Sequence, residues 1–258
     1  YQIKAKKALW QNFLVDESKV QAIADFIDVK EQNIIEVWPG YGALTEKLVK
    51  KSPKSLTLVE LDQDMVKILE DRELWDVTIV NEDILKYNPE HDDYSVIANI
   101  PYYITSPILR HFLYNLEYAP KKMLILMQKD VWDKIVLGQN EKKIRSSVLS
   151  LFIAKKCYTK EVIEVPKECF EPSPKVESSV IYFEIHDTYK NTNDDDFMKL
   201  IKIWFSSVRK KLIKNLVMGG FAKEKVLEVF KELQIDENIR GEVLGVDMWC
   251  KLVEKLRK

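Results

Sequence analysis

Glycine is scarce in this chain of 258 residues. It occurs 7 times, where average usage of ~7% would give about 18, so glycine-rich linkers and glycine repeats are excluded. Cysteine and histidine are equally thin, at three each. Cys157, Cys169 and Cys250 lie far apart with no C-x-x-C pair, and His91, His111 and His186 are just as scattered. That spacing argues against a disulfide framework and against a zinc site. Ordinary reduced thiols of a cytoplasmic protein are the expectation, with no metal. No apolar stretch approaches the ~20 residues that span a bilayer, and no secretory leader is visible, so no membrane partner is expected. An excess of either charge is also missing, the net being −1. What remains is 46% hydrophobic and 31% charged, enough for one large domain, or one domain with an appendage.

The distribution of charge says more than its total. Residues 197–258 hold 14 Lys and Arg against 8 Asp and Glu, and residues 1–16 hold three Lys against one Asp. Basic ends around an acidic middle point weakly to a polyanionic partner. Solvated helix faces explain the same pattern.

From about residue 18 to 130, short β-type runs alternate with amphipathic segments. The predicted strands are Asn33–Val37, Ser55–Leu61, Val77–Val80, Ser95–Ala98 and Met123–Met127; between them Ala43–Lys51, Gln63–Arg72 and Ser106–Leu116 have helical spacing. Such alternation predicts an α/β fold with a parallel sheet covered by helices. After a helical stretch near Ser146–Lys155, two more strands, Glu161–Val165 and Ser179–Ile185, are predicted to form an antiparallel edge β-hairpin. Asp187–Asp196 is polar and turn-rich, a linker. Beyond it Phe197–Leu216, Lys223–Leu233 and Met248–Leu256 read as helices.

Open α/β sheets bind ligands beyond the carboxyl ends of their strands. The first such end carries Pro39-Gly40-Tyr41-Gly42, a turn that allows close backbone approach before a helix. The second carries Glu60-Leu61-Asp62, an acid about 20 residues past the glycines that can accept from ribose hydroxyls. The third carries Asn81-Glu82-Asp83 and the fourth Asn99-Ile100-Pro101-Tyr102. Each alone reads as a turn or a helix cap; four at one sheet edge read as a site. In the fourth, the Asn99 amide oxygen and the Ile100 carbonyl can accept both N–H bonds of an exocyclic adenine amine. That favours the tetrahedral nitrogen needed to attack a methyl group, with Pro101 stiffening the turn and Tyr102 stacking on the purine.

Five ordered motifs resemble the small-subunit ribosomal RNA adenine-N6 dimethyltransferase family, related to the erythromycin-resistance rRNA methylases. Lys7–Asp16 is similar to K-x-x-G-Q-N-F-L-x-D, Glu36–Thr45 to E-[IV]-G-P-G-x-G-x-L-T, and Asn99–Pro107 to N-[LI]-P-Y-x-I-[ST]-[ST]-P. Phe170–Val176 is similar to F-x-P-x-P-K-V, and Arg209-Lys210-Lys211 with Asn215-Leu216 to R-[RK]-K-x-[LI]-x-N-x-L. The resemblance implies a Rossmann-like class I methyltransferase sheet over residues 1–187 and a small all-helical RNA-contacting domain over 188–258. It implies a monomer using S-adenosyl-L-methionine, without metal, to dimethylate adenines of small-subunit rRNA in the pre-ribosomal small subunit. Carried over by position, Asn12 and Leu14 would touch the methionine end, with Trp38 and Gly40 in the cofactor turn. Glu60 would hold the ribose and Asp83 the adenine of the donor. Asn99, Ile100, Pro101 and Tyr102 would form the catalytic turn, and Phe170 would stack on the target base. Arg209, Lys210, Lys211 and Lys214 would meet RNA phosphates.

Two tryptophans, Trp10 and Trp38, fall on glycines of the family pattern. Three readings of Trp38 stay open. The turn is rearranged so that the indole points away; or methyl transfer is lost and RNA binding kept; or the gene reads UGA as glycine. The last would also explain the shortage of glycine. Trp204 and Trp249 fit helical apolar faces and need no such explanation.

Overall fold

The computed structural model describes residues 12–137 and 145–257. Trp10 and the rest of the opening motif before Asn12 lie outside the described residues, as does the side chain of Tyr102. The described chain runs β1 (Phe13–Leu14), α1 (Glu17–Phe26), β2 (Asn33–Val37), α2 (Ala43–Val49), β3 (Ser55–Glu60), α3 (Gln63–Glu70), β4 (Val77–Asn81) and β5 (Ser95–Asn99). It continues through α4 (Thr105–Arg110), β6 (Lys122–Gln128), α5 (Lys129–Leu137), α6 (Val148–Ala154), β7 (Cys157–Val165), β8 (Phe170–Glu171) and β9 (Ser178–Ile185), then α7 (Asp194–Phe205), α8 (Leu212–Met218), α9 (Lys223–Glu232) and α10 (Val246–Leu256).

Seven strands form one sheet in the order β4-β3-β2-β5-β6-β9-β7. The first five are parallel, and β9 returns antiparallel to β6. The α/β expectation therefore holds, and β7 and β9 lie side by side at the edge where a hairpin was expected. Their connection is no tight turn: it carries β8, which leaves the main sheet to pair antiparallel with β1 (Phe13↔Glu171, Leu14↔Phe170). Two-residue strands carry no periodicity, so no local pattern announces this pairing. It ties the start of the described chain to a segment more than 150 residues away.

The interior strand Asn33–Val37 is buried at Ile34, Ile35, Glu36 and Val37, as a parallel strand covered on both faces must be. Ile34, Leu48, Leu56, Leu58 and Leu69 share one fully buried cluster, where truncating one leucine to alanine typically costs ~2–5 kcal/mol. Helix α1 begins at Asp16, whose carboxylate accepts from the Lys19 N–H at 3.0 Å, satisfying one of the free first-turn donors.

The chain divides into two compact units: residues up to Trp132 with Thr159–Ile185, and Asp133–Tyr158 with His186–Lys258. The first holds the sheet. The second is helical and includes α6 besides everything after the linker. The linker is shorter than Asp187–Asp196, because α7 starts at Asp194 with Asn193 as its cap, accepting from Asp196 N–H at 3.0 Å.

The helix expected over Phe197–Leu216 is broken into α7 and α8. Buried Asn215 spans the break, its amide donating to the carbonyls of Trp204 and Ser207, each at 3.0 Å. The same carbonyls also accept from the Ser207 and Lys210 N–H groups, at 3.3 and 3.0 Å, closing the turn. Trp204 and Trp249 lie wholly inside this unit's core. Both indole N–H groups are buried without an acceptor among the described residues, a desolvation cost that apolar periodicity conceals.

Candidate active site

The register of the parallel strands aligns four chain positions along the sheet's carboxyl edge. Val37 pairs with Val59 and Ala98, Glu60 with Asn81, and Asn99 with Leu126. Trp38, Glu60, Asn81 and Asn99 therefore stand one residue past a common row. A cleft partly open to solvent lies against this edge, the position where open α/β sheets bind their ligands.

Asn12, Leu14, Trp38, Gly40, Glu60, Asn99, Ile100, Pro101 and Phe170 all line it. Asp83 does not; its carboxylate accepts from Leu85 N–H at 3.0 Å, as a turn cap. The basic group Arg209, Lys210, Lys211 and Lys214 is in the second unit, between α7 and α8 and on the first turn of α8; Arg209, Lys210 and Lys211 are exposed. Lys211 Nζ donates to the Asn238 amide oxygen.

The turn from β2 into α2 is held at both ends. Trp38 N–H donates to the Val59 carbonyl at 3.1 Å, and Gly42 N–H to the Pro39 carbonyl at 2.9 Å. Three of its residues have left-handed backbones: Trp38 (φ 53°), Gly40 (φ 58°) and Gly42 (φ 88°). Glycine adopts that region freely, whereas a side chain at Cβ opposes it. Gly40 also has little room, since a Cβ there would come 3.2 Å from the Phe13 ring. Phe13 in turn lies edge-on to Tyr41, centroids 5.5 Å apart, and the Tyr41 hydroxyl donates to the Leu14 carbonyl at 3.1 Å. The β1–β8 pair is thereby anchored over the glycine turn, which brings Asn12, Leu14 and Phe170 to the cleft.

Two carboxyl groups lie in the cleft wall, each on a residue only 2% exposed. Glu60 accepts from Gly40 N–H at 3.3 Å and from Asp62 N–H at 2.8 Å. Burial pushes it up to about 7, against the lowering effect of those backbone donors. Glu36 is pushed up to about 8, chiefly by burial, with Glu60 adding repulsion. Its Oε2 is buried with no hydrogen-bond partner among the described residues. In the sequence, Glu36 stands only as the first letter of the glycine-turn motif. The signal was present nonetheless, because an acid inside the apolar run N-I-I-E-V rarely stays buried without a task.

These features suit S-adenosylmethionine. A buried carboxylate oxygen without a donor can meet a cationic ammonium, Glu60 keeps lone pairs for ribose hydroxyls, and Leu14, Leu124, Leu126, Phe170 and Val180 supply apolar walls. The indole of Trp38 is the discordant element. Trp38 is half-buried and lines the cleft.

Sheet, glycine turn and cleft define a Rossmann-like methyltransferase. A model of the ribosomal RNA adenine dimethylase family matches residues 2–258, and the chain belongs to that family. It is 37% identical to a ribosomal RNA small subunit methyltransferase A of Mycoplasma mobile, covering 97% of this chain and 98% of that protein. Among solved structures, a dimethyladenosine transferase from Plasmodium falciparum shares the fold at a TM-score of 0.80 and 22% identity, covering 93% of this chain and 95% of that one. The 23S rRNA methyltransferase ErmE shares it at 0.74 and 20% identity, covering 96% and 100%.

Proposed function

We propose that this protein transfers methyl groups from S-adenosylmethionine to the N6 of adenines in small-subunit rRNA, producing dimethyladenosine during assembly of the pre-ribosomal small subunit. The observation carrying this reading is the convergence of Asn99-Ile100-Pro101 with Glu36, Glu60 and Phe170 in one cleft at the sheet's carboxyl edge. When bound, S-adenosylmethionine supplies an electrophilic methyl group on a sulfonium. Asn12, Leu14, Gly40 and Glu60 would hold it, with Glu36 facing its cationic end. Asp83 keeps a donor-adenine role only if its turn opens toward the cleft.

The remaining chemistry belongs to the chain. The Asn99 amide oxygen and the Ile100 carbonyl accept the two N–H bonds of the target amine, which localises its lone pair. Phe170 offers a face for the extruded base, and the aliphatic walls exclude water from the reacting nitrogen. Positioning supplies most of the acceleration, since the donor is already activated. Arg209, Lys210, Lys211 and Lys214 contact phosphates of the RNA.

The test is methyl incorporation from labelled S-adenosylmethionine into unmethylated small ribosomal subunits, with large subunits alongside. Dimethyladenosine in the small subunit alone is the expected result. Label in the large subunit alone would assign the chain to the resistance-type methylases. Trp38 favours one second reading, a non-catalytic factor binding the same pre-ribosomal site. For that reading small subunits are bound but never labelled, and calorimetry detects no S-adenosylmethionine binding at millimolar concentration.

A further inference from the structure

In the turn Trp38-Pro39-Gly40-Tyr41-Gly42, every second residue is left-handed, and only the first of the three bears a side chain. That backbone is imposed rather than chosen. The bond from Trp38 N–H to the Val59 carbonyl continues the β2–β3 pairing one residue past Val37, and the Gly42 to Pro39 bond closes the far side. Gly42 is also the residue from which α2 starts. Relaxing Trp38 to an ordinary φ would break the ladder or move the helix start. The strain therefore stays, and residue 38 is held on the cleft lining together with Glu36, Glu60 and Asn99.

We propose that Trp38 sets the affinity of the cleft for its methyl donor by occupying donor volume, and that glycine is the residue this backbone is built to carry. An indole is the largest of the side chains, and here it is carried by a residue of the cleft lining at a position whose backbone suits glycine, which has none. The inference rests on the cleft being the S-adenosylmethionine site.

Two variants of the full chain, Trp38→Gly and Trp38→Ala, separate ring from backbone. Calorimetry with S-adenosylmethionine and with S-adenosylhomocysteine should give dissociation constants at least tenfold lower for both variants than for the parent. Thermal unfolding without ligand should place Trp38→Gly above Trp38→Ala by about 2 °C or more, because alanine retains the Cβ that opposes a left-handed backbone. Equal or weaker donor binding by a folded Trp38→Gly, with the parent still binding, overturns the proposal and leaves the methyltransferase reading intact. Failure of both parent and Trp38→Gly to bind either S-adenosylmethionine or S-adenosylhomocysteine overturns the assignment of the cleft itself. A melting temperature of Trp38→Gly no higher than that of Trp38→Ala overturns the claim about the backbone.

Discussion

Glu36 and Glu60 keep their protons to about pH 8 and about pH 7, because burial disfavours the charged form more than their partners favour it. In the unfolded chain both ionise near 4.5. Between those values the folded state holds protons on these two groups that the unfolded chain has lost, so their contribution to stability is full below pH ~4.5 and is lost as pH rises toward 8. At ~1.4 kcal/mol per unit, the effect is on the order of a few kcal/mol. Glu36→Gln should flatten the decline measured by denaturant titration of the ligand-free protein between pH 5.5 and 8; an unchanged slope would show that Glu36 is not its source. Asn99→Ala removes an acceptor that matters only when the amine is reacting. Turnover should drop by orders of magnitude (at ~1.4 kcal/mol per tenfold) while affinity for small subunits stays the same. Equal losses in rate and affinity would make Asn99 a binding residue instead. At position 38 the codon decides the recoding reading, since UGG would eliminate it.

At the scale of elements, the break between α7 and α8 puts Arg209, Lys210 and Lys211 on an exposed turn instead of a helix flank. Asn215 maintains that turn by donating to two backbone carbonyls. Asn215→Ala should cost about 2 kcal/mol, read as a lower denaturant midpoint, and a midpoint within error of the parent would leave the turn to other causes. Substituting Arg209, Lys210 and Lys211 together with Ala should lower the slope of log affinity for rRNA against log salt. Each phosphate no longer neutralised is worth ~0.7–0.9 of slope, so the change should reach about 2–3 units. An unaltered slope would take the turn out of the interface. The β1–β8 pair works in the same way for the cleft, because two short strands and the Tyr41–Leu14 bond bring Asn12 and Phe170 to residues distant in sequence.

For the whole molecule, local pattern was enough to recover the five parallel strands, the edge pair, the helices after the linker and three of the four strand ends on the cleft; it did not show that 133–158 group with those helices. Apolar runs and helical spacing are properties of neighbouring residues, and a glycine turn or an Asn-x-Pro turn carries its conformation within a few positions. Those are what the amino-acid order determined by itself. It did not reveal that Phe13–Leu14 pairs with Phe170–Glu171, that Asn215 bridges two helices, that Asp83 caps a turn outside the cleft lining, or that Glu36 is left with an oxygen lacking a donor among the described residues. Nor did it show that Trp38 is held in a left-handed backbone on the cleft lining. Each of these depends on how groups are placed in space, most of them brought together across tens to more than a hundred residues, where burial and hydrogen-bond geometry, not local preference, set the outcome.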